Sequence, residues 1–79
     1  MCTKEVIVNF KTAFIYLCKG YRIRIKSWRQ GSFWELNERY EIVENNVDSV
    51  SIYTLNRVHM EYILMDNWEV IPKYKGQVI

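Results

Sequence analysis

At Gly20 the hydrophobic pattern of this chain changes period, and that change restricts the folds open to it. Before it, Phe10, Ala13, Phe14, Leu17 and Cys18 recur at helical spacing, with Lys11 and Lys19 off the apolar stripe. Asn9 is a good N-cap and Gly20 a good stop, so residues 10–19 are expected to form one amphipathic helix. After Gly20 the period is two. Tyr21, Ile23 and Ile25 alternate with Arg22, Arg24 and Lys26. That reads as a strand with one apolar and one basic face.

The rest of the chain repeats the strand signal. Gln30 and Gly31 mark a turn, and a second strand is expected at about 32–38, around Trp34 and Leu36. A third is expected from about Tyr40 to Val43, then a turn at Asn45 and Asn46. Residues 49–55 alternate again and are rich in β-formers. Residues 57–65 fit neither period cleanly, and Asn56 is placed to cap a short helix there. Asp66 and Asn67 form a turn, and Trp68 to Ile71 is a last strand ended by Pro72. The expected fold is α+β: an N-terminal helix on a small antiparallel sheet of about five strands, with a second short helix before the last strand. With 79 residues this is one domain, its core at about 9–71 and a loosely held tail at 73–79.

A domain of this size has a thin core, and self-association commonly compensates. Net charge is only +2, but it is unevenly placed. Residues 1–30 hold seven Lys/Arg against one Glu, a net of +6, while residues 31–50 hold five acidic groups against Arg39, a net of −4. Ordinary solvated faces explain such blocks, and so does attraction of an anion or pairing of opposite blocks between two copies. Cys2 and Cys18 do not make a secreted disulfide framework, and the start of the chain has no signal-peptide pattern. The longest apolar run, Ala13 to Cys18, is far too short for a membrane span. A reducing, intracellular setting with free thiols is expected.

The sequence offers little catalytic chemistry. One histidine, His59, and two distant cysteines do not suggest a metal site. Three isolated glycines make neither a phosphate loop nor a dinucleotide fingerprint. No cofactor and no enzymatic activity are expected. Binding remains. Anions need cations, and nucleobases need aromatic faces. The segment from Gly20 to Arg29 holds both, with Arg22, Arg24 and Lys26 on one strand face and Trp28 where the strand ends. Trp28 as a core anchor among solvated cations is the simpler alternative.

The same segment carries a family resemblance. Asn9-Phe10, Ala13, Leu17, Gly20, Arg22-Ile23-Arg24 and Trp28 are followed some forty residues later by Asp66-Asn67-Trp68-Glu69-Val70. In these residues the chain resembles small phage proteins that inhibit the Thoeris defence system by sequestering its cyclic ADP-ribose signal. After Trp28 the chain departs from that pattern with Arg29-Gln30-Gly31, and the middle, Glu38 to Thr54, is shorter and more acidic. The resemblance implies a phage anti-defence protein acting in the host cytoplasm as a nucleotide sponge. It also implies a homo-oligomer such as a tetramer, with pockets between subunits. In such a pocket Phe10 and Trp28 would flank the base, and Asp66 or Asn67 would read hydroxyls or a base edge. Arg22, Arg24 and Lys26, inferred from charge and periodicity, would meet the pyrophosphate. Trp68 is expected in the core or at a subunit interface.

Two other functions compete. The first is a protein-binding inhibitor of a host defence effector, of the anti-CRISPR or nuclease-inhibitor kind, with Glu35 to Asp48 as its contact surface. The second is a single-stranded nucleic-acid binder using the basic strand, Tyr21 and Trp28. Net charge of +2 is weak for that role, and neither duplex nucleic acid nor membrane is an expected partner.

Overall fold

The computed structural model describes residues 6–54 and 57–73. Strand β1 (Val6–Val8) leads directly into helix α1 (Phe10–Cys18). Four strands follow: β2 (Arg22–Ile25), β3 (Phe33–Leu36), β4 (Ile42–Asn45) and β5 (Val50–Tyr53). Helix α2 (Met60–Leu64) precedes β6 (Trp68–Ile71). All six strands form one antiparallel sheet in the order β1-β6-β2-β3-β4-β5. The α+β class, the leading helix and the short helix before the last strand are as expected from the sequence. The strand at Val6–Val8 is additional, making six where about five were expected. Three residues are too few to show a period.

Local chemistry sets the ends of α1. The Asn9 side chain accepts from the Thr12 amide at 2.9 Å, which satisfies one orphan donor of the first turn. At the other end Gly20 takes φ of 96°, a left-handed conformation that suits glycine. Its amide donates to the Leu17 carbonyl and that of Tyr21 to the Tyr16 carbonyl, both at 3.1 Å, a Schellman closure. The Tyr16 and Tyr21 rings meet edge-on at 5.3 Å across it.

Helix α1 lies mainly over β6, β2 and β3. It buries Phe10, Ala13 and Leu17 against Ile23, Ile25, Trp34, Trp68 and Val70, while Phe14 is half-buried beside them. Cys18, though in register with the apolar stripe, is exposed and free. The register Val70–Ile23–Trp34 puts one side chain from each of three neighbouring strands on the helix face. Residues one step away point to the other face. There Arg22 pairs with Glu35 at 3.1 Å and stacks over Phe33 at 4.3 Å, and Arg24 lies 3.7 Å from Glu69.

The turns lie elsewhere than the sequence suggested. The expected second strand, to about residue 38, stops at Leu36. Asn37 Oδ1 then accepts from the amides of Arg39 and Glu41, closing a loop in which Tyr40 has φ of 60°. The tip of the next turn falls two residues later than expected, because Asn45 still belongs to β4. The Asn46 amide donates to the Ser49 carbonyl at 2.8 Å, leaving Val47 and Asp48 at the tip. Helix α2 starts after His59, and the suggested cap Asn56 lies outside the described residues, as do Cys2 and residues 74–79 of the tail.

Candidate functional site

Helix α1 leaves the β4–β5 side of the sheet's helix face open, and aromatic side chains wall that opening. Trp28 follows β2 in a turn whose amide donates to the Ile25 carbonyl at 2.9 Å. Its ring packs 5.5 Å from both Trp34 and Trp68 and 5.8 Å from Tyr62. Trp34 and Trp68 are fully buried and 5.1 Å apart. Each buried indole N–H has an acceptor: Trp34 donates to Glu44 at 2.8 Å and Trp68 to the Tyr62 carbonyl at 3.0 Å. The two buried indoles thus fix the floor, and the half-buried Trp28 and Tyr62 stand on it at 81° to one another.

Three hollows of about 380, 320 and 400 Å³ meet at Tyr62. The first lies between Trp28 and the β4–β5 hairpin, with Arg29, Ser32, Glu44, Asn46 and Ser49 in its walls. The second runs from Trp28 past Ser27 to Glu61 and Met65. The third continues over Glu44 and Ser51 to Arg57 and His59. The first shares Trp28 and Tyr62 with the second and Glu44 and Tyr62 with the third; the three hollows around this aromatic centre are here called the cleft. Its charges are mixed: Arg29 and Arg57 against Glu44, Asp48 and Glu61.

Glu44 is held in place. One carboxylate oxygen accepts from Trp34 and the other from Asn46 Nδ2 at 3.1 Å, so both oxygens are held and the carboxylate plane is fixed. Arg29 is exposed and lies 3.9 Å from the exposed Asp48. Such a pair is weak in water, so the guanidinium can exchange it for a better acceptor.

The residues singled out in the sequence separate into four places. Trp28 lines the cleft. Phe10 lies beneath α1, 8% exposed, with its ring 5.3 Å from Trp68, so it supports the floor rather than facing the opening. Arg22 and Arg24 project from the opposite face of the sheet. Arg24 also donates from Nη2 to the Trp28 carbonyl, which ties the turn to the strand. Lys26 is exposed at the end of β2, where its amide donates to the Asn67 carbonyl at 3.0 Å. Asp66 is exposed and Asn67 half-buried just before β6, at that same end of the sheet. Trp68 is a core residue of the described chain.

Sequence reasoning missed Tyr62, Glu44, Arg29 and Arg57 as cleft residues. Tyr62 lies in the segment without a clean period. Glu44 carried a findable signal: in a register that pairs β3 with β4 it stands opposite Trp34.

Among the described residues, no cluster of three His, Cys, Asp or Glu is placed to hold a metal, and no helix is long and apolar enough to cross a membrane. No family model matches the chain, and neither a curated protein nor a solved structure matches it.

Proposed function

We propose that this chain binds a small anionic nucleotide in the Trp28–Tyr62 cleft and holds it without turnover. One observation carries the reading: an aromatic pair fixed from below, with an exchangeable arginine and an oriented carboxylate in the same hollow. Stacking of a base on an aromatic ring contributes roughly 1–3 kcal/mol. Arg29 supplies the phosphate contact, and Glu44 accepts from a ribose hydroxyl or a base amino group. Arg57, at the far end of the cleft, suits a second phosphate. In this reading Arg22 and Arg24 hold the fold instead of the ligand, since both are engaged on the other face.

The resemblance to the Thoeris anti-defence proteins supplies the ligand class: cyclic ADP-ribose isomers or cyclic oligonucleotides. It also supplies the role, which is removal of a host immune signal by a phage protein. A sponge acts by mass action, so its effect follows its abundance and affinity. Three carboxylates of the acidic segment are tied up within the protomer, Glu35 by Arg22 and Lys73, Glu41 by Asn37 and Glu44 by Trp34, while Glu38 and Asp48 stay exposed.

Calorimetric titration with cyclic ADP-ribose isomers and cyclic oligonucleotides tests the proposal, with chromatography of the released ligand. Saturable binding and an unchanged ligand are expected. No binding of any of them at about 50 µM, a level that detects interactions near −6 kcal/mol, would remove the nucleotide reading. A chemically altered ligand would replace the sponge with an enzyme.

A further inference from the structure

The sheet ends on one side at β5, and its sequence, Val50-Ser51-Ile52-Tyr53, lacks the devices that normally block an edge. It has no proline, no charged residue and no bulge. The pairing with β4 decides which backbone groups are free. The Asn46–Ser49 hydrogen bond closes the hairpin as a hydrogen-bonded pair, and pairs alternate from there. Val50 and Ile52 are therefore in non-hydrogen-bonded pairs with β4. Their N–H and C=O groups point to the open side. Their side chains, 62% and 58% exposed, share the face away from α1.

We propose that the chain forms a two-fold dimer by antiparallel pairing of β5 with β5 of a second copy, Ser51 facing the partner's Ser51 on the axis. This register sets Val50 opposite the partner's Ile52, and Ile52 opposite the partner's Val50. Each such pair exchanges two hydrogen bonds, so all four free donors of the two edges are satisfied. The four aliphatic side chains meet on one face. In this register the edge is complementary to itself, which selects a second copy of the chain as its partner. Pairing β5 with β1 instead would leave both edges open and grow a filament.

The dimer enlarges the cleft. Ser51 opposes Glu44 on the face toward α1 and lines the hollow that holds Arg57. In a non-hydrogen-bonded antiparallel pair, Cα atoms lie about 4.5 Å apart. The two Ser51 walls therefore abut on the axis, and each cleft borders the other. The pairing needs no ligand, so it stands or falls separately from the nucleotide reading.

Sedimentation velocity on the full chain, up to about 500 µM, tests the proposal, because an interface of one short strand is at the small end of specific contacts. A concentration-dependent doubling of mass is expected. Ile52→Lys should give a folded monomer throughout that range, since an edge lysine opposes pairing. In a Cys2→Ser, Cys18→Ser background, Ser51→Cys should form a disulfide-linked dimer on mild oxidation, because the pair spacing lies within disulfide range. This second variant decides the matter if Ile52→Lys does not fold. A wild-type chain that stays monomeric, an open-ended series of larger species, or a Ser51→Cys chain that does not cross-link would each overturn the proposal.

Discussion

The Trp34 indole donates to the Glu44 carboxylate at 2.8 Å across a directly opposed pair of β3 and β4 residues. A buried donor without a partner costs about 1–3 kcal/mol. Glu44→Leu should therefore lower unfolding free energy by about that amount in urea melts, because it strands the indole N–H. Glu44→Gln keeps an acceptor at the same place and should stay within about 1 kcal/mol of the parent. The same Gln variant should weaken nucleotide binding, which separates the structural part of Glu44 from its part in the cleft.

Arg24 gives the opposite kind of test. Its side chain is 12% exposed and lies beside Glu69, itself 18% exposed, while its far nitrogen reaches the Trp28 carbonyl. Removing one partner of a mostly buried pair leaves the other charge uncompensated. Arg24→Ala should destabilise the fold by about 2–4 kcal/mol, measured by denaturant unfolding. If instead stability holds and only nucleotide affinity falls, Arg24 belongs to the binding site and the placement of the ligand in the cleft is wrong.

The contrast between these residues explains what the sequence made legible. Periodicity found α1 and β2, because each puts apolar residues on one face at regular spacing, and the Asp66–Asn67 turn and Pro72 bracketed β6. The Asn9 cap and the Gly20 stop have local causes and were equally readable. Periodicity also separated Arg22 and Arg24 from Ile23 and Ile25. It could not say that Trp28, beyond the end of the strand, turns back to the apolar side while those arginines stay on the other. That depends on the turn closed by the Ile25 carbonyl. The cleft was less legible than the fold for the same reason. It is built by Trp28, Glu44 and Tyr62, which come together only through strand register and the return of α2. The opposed charge blocks of the sequence meet inside the protomer at Arg22 and Glu35 and, loosely, at Arg29 and Asp48.

Tyr40 should be a site of easy stabilisation. It has φ of 60° and is 81% exposed, so it bears the strain of a left-handed backbone without packing in return. That conformation costs a non-glycine residue about 1–2 kcal/mol, and asparagine bears it better than tyrosine. Tyr40→Asn should raise unfolding free energy by about 0.5–1 kcal/mol, and a glycine there should gain less, because of its greater chain entropy. A thermal melt that falls on Tyr40→Asn would show that the ring contributes more than its exposure suggests.

Trp28 is the sharpest test of the cleft, because it serves both the fold and the ligand. Its ring packs against Trp34, Trp68 and Tyr62, so Trp28→Ala removes the contacts of a half-buried aromatic. A large-to-small change of this kind costs up to about 3–5 kcal/mol when the residue is fully buried, and Trp28 should lie at or below the lower end. Lost binding in that variant alone would be ambiguous. Trp28→Phe keeps an aromatic face and most of the packing but has a smaller stacking surface and no indole N–H. It should remain folded with a modest loss of stability, and it should bind nucleotide about three- to tenfold more weakly, a change of about 0.7–1.4 kcal/mol. Trp28→Leu keeps apolar volume and removes the π-face, so its affinity should fall at least tenfold, by about 1.4 kcal/mol or more. Calorimetry on both variants, after circular dichroism has confirmed their fold, gives the order wild type, Phe, Leu if the base stacks on this ring. Equal affinities for folded Phe and Leu variants would mean that Trp28 only supports the cleft and that the base lies elsewhere.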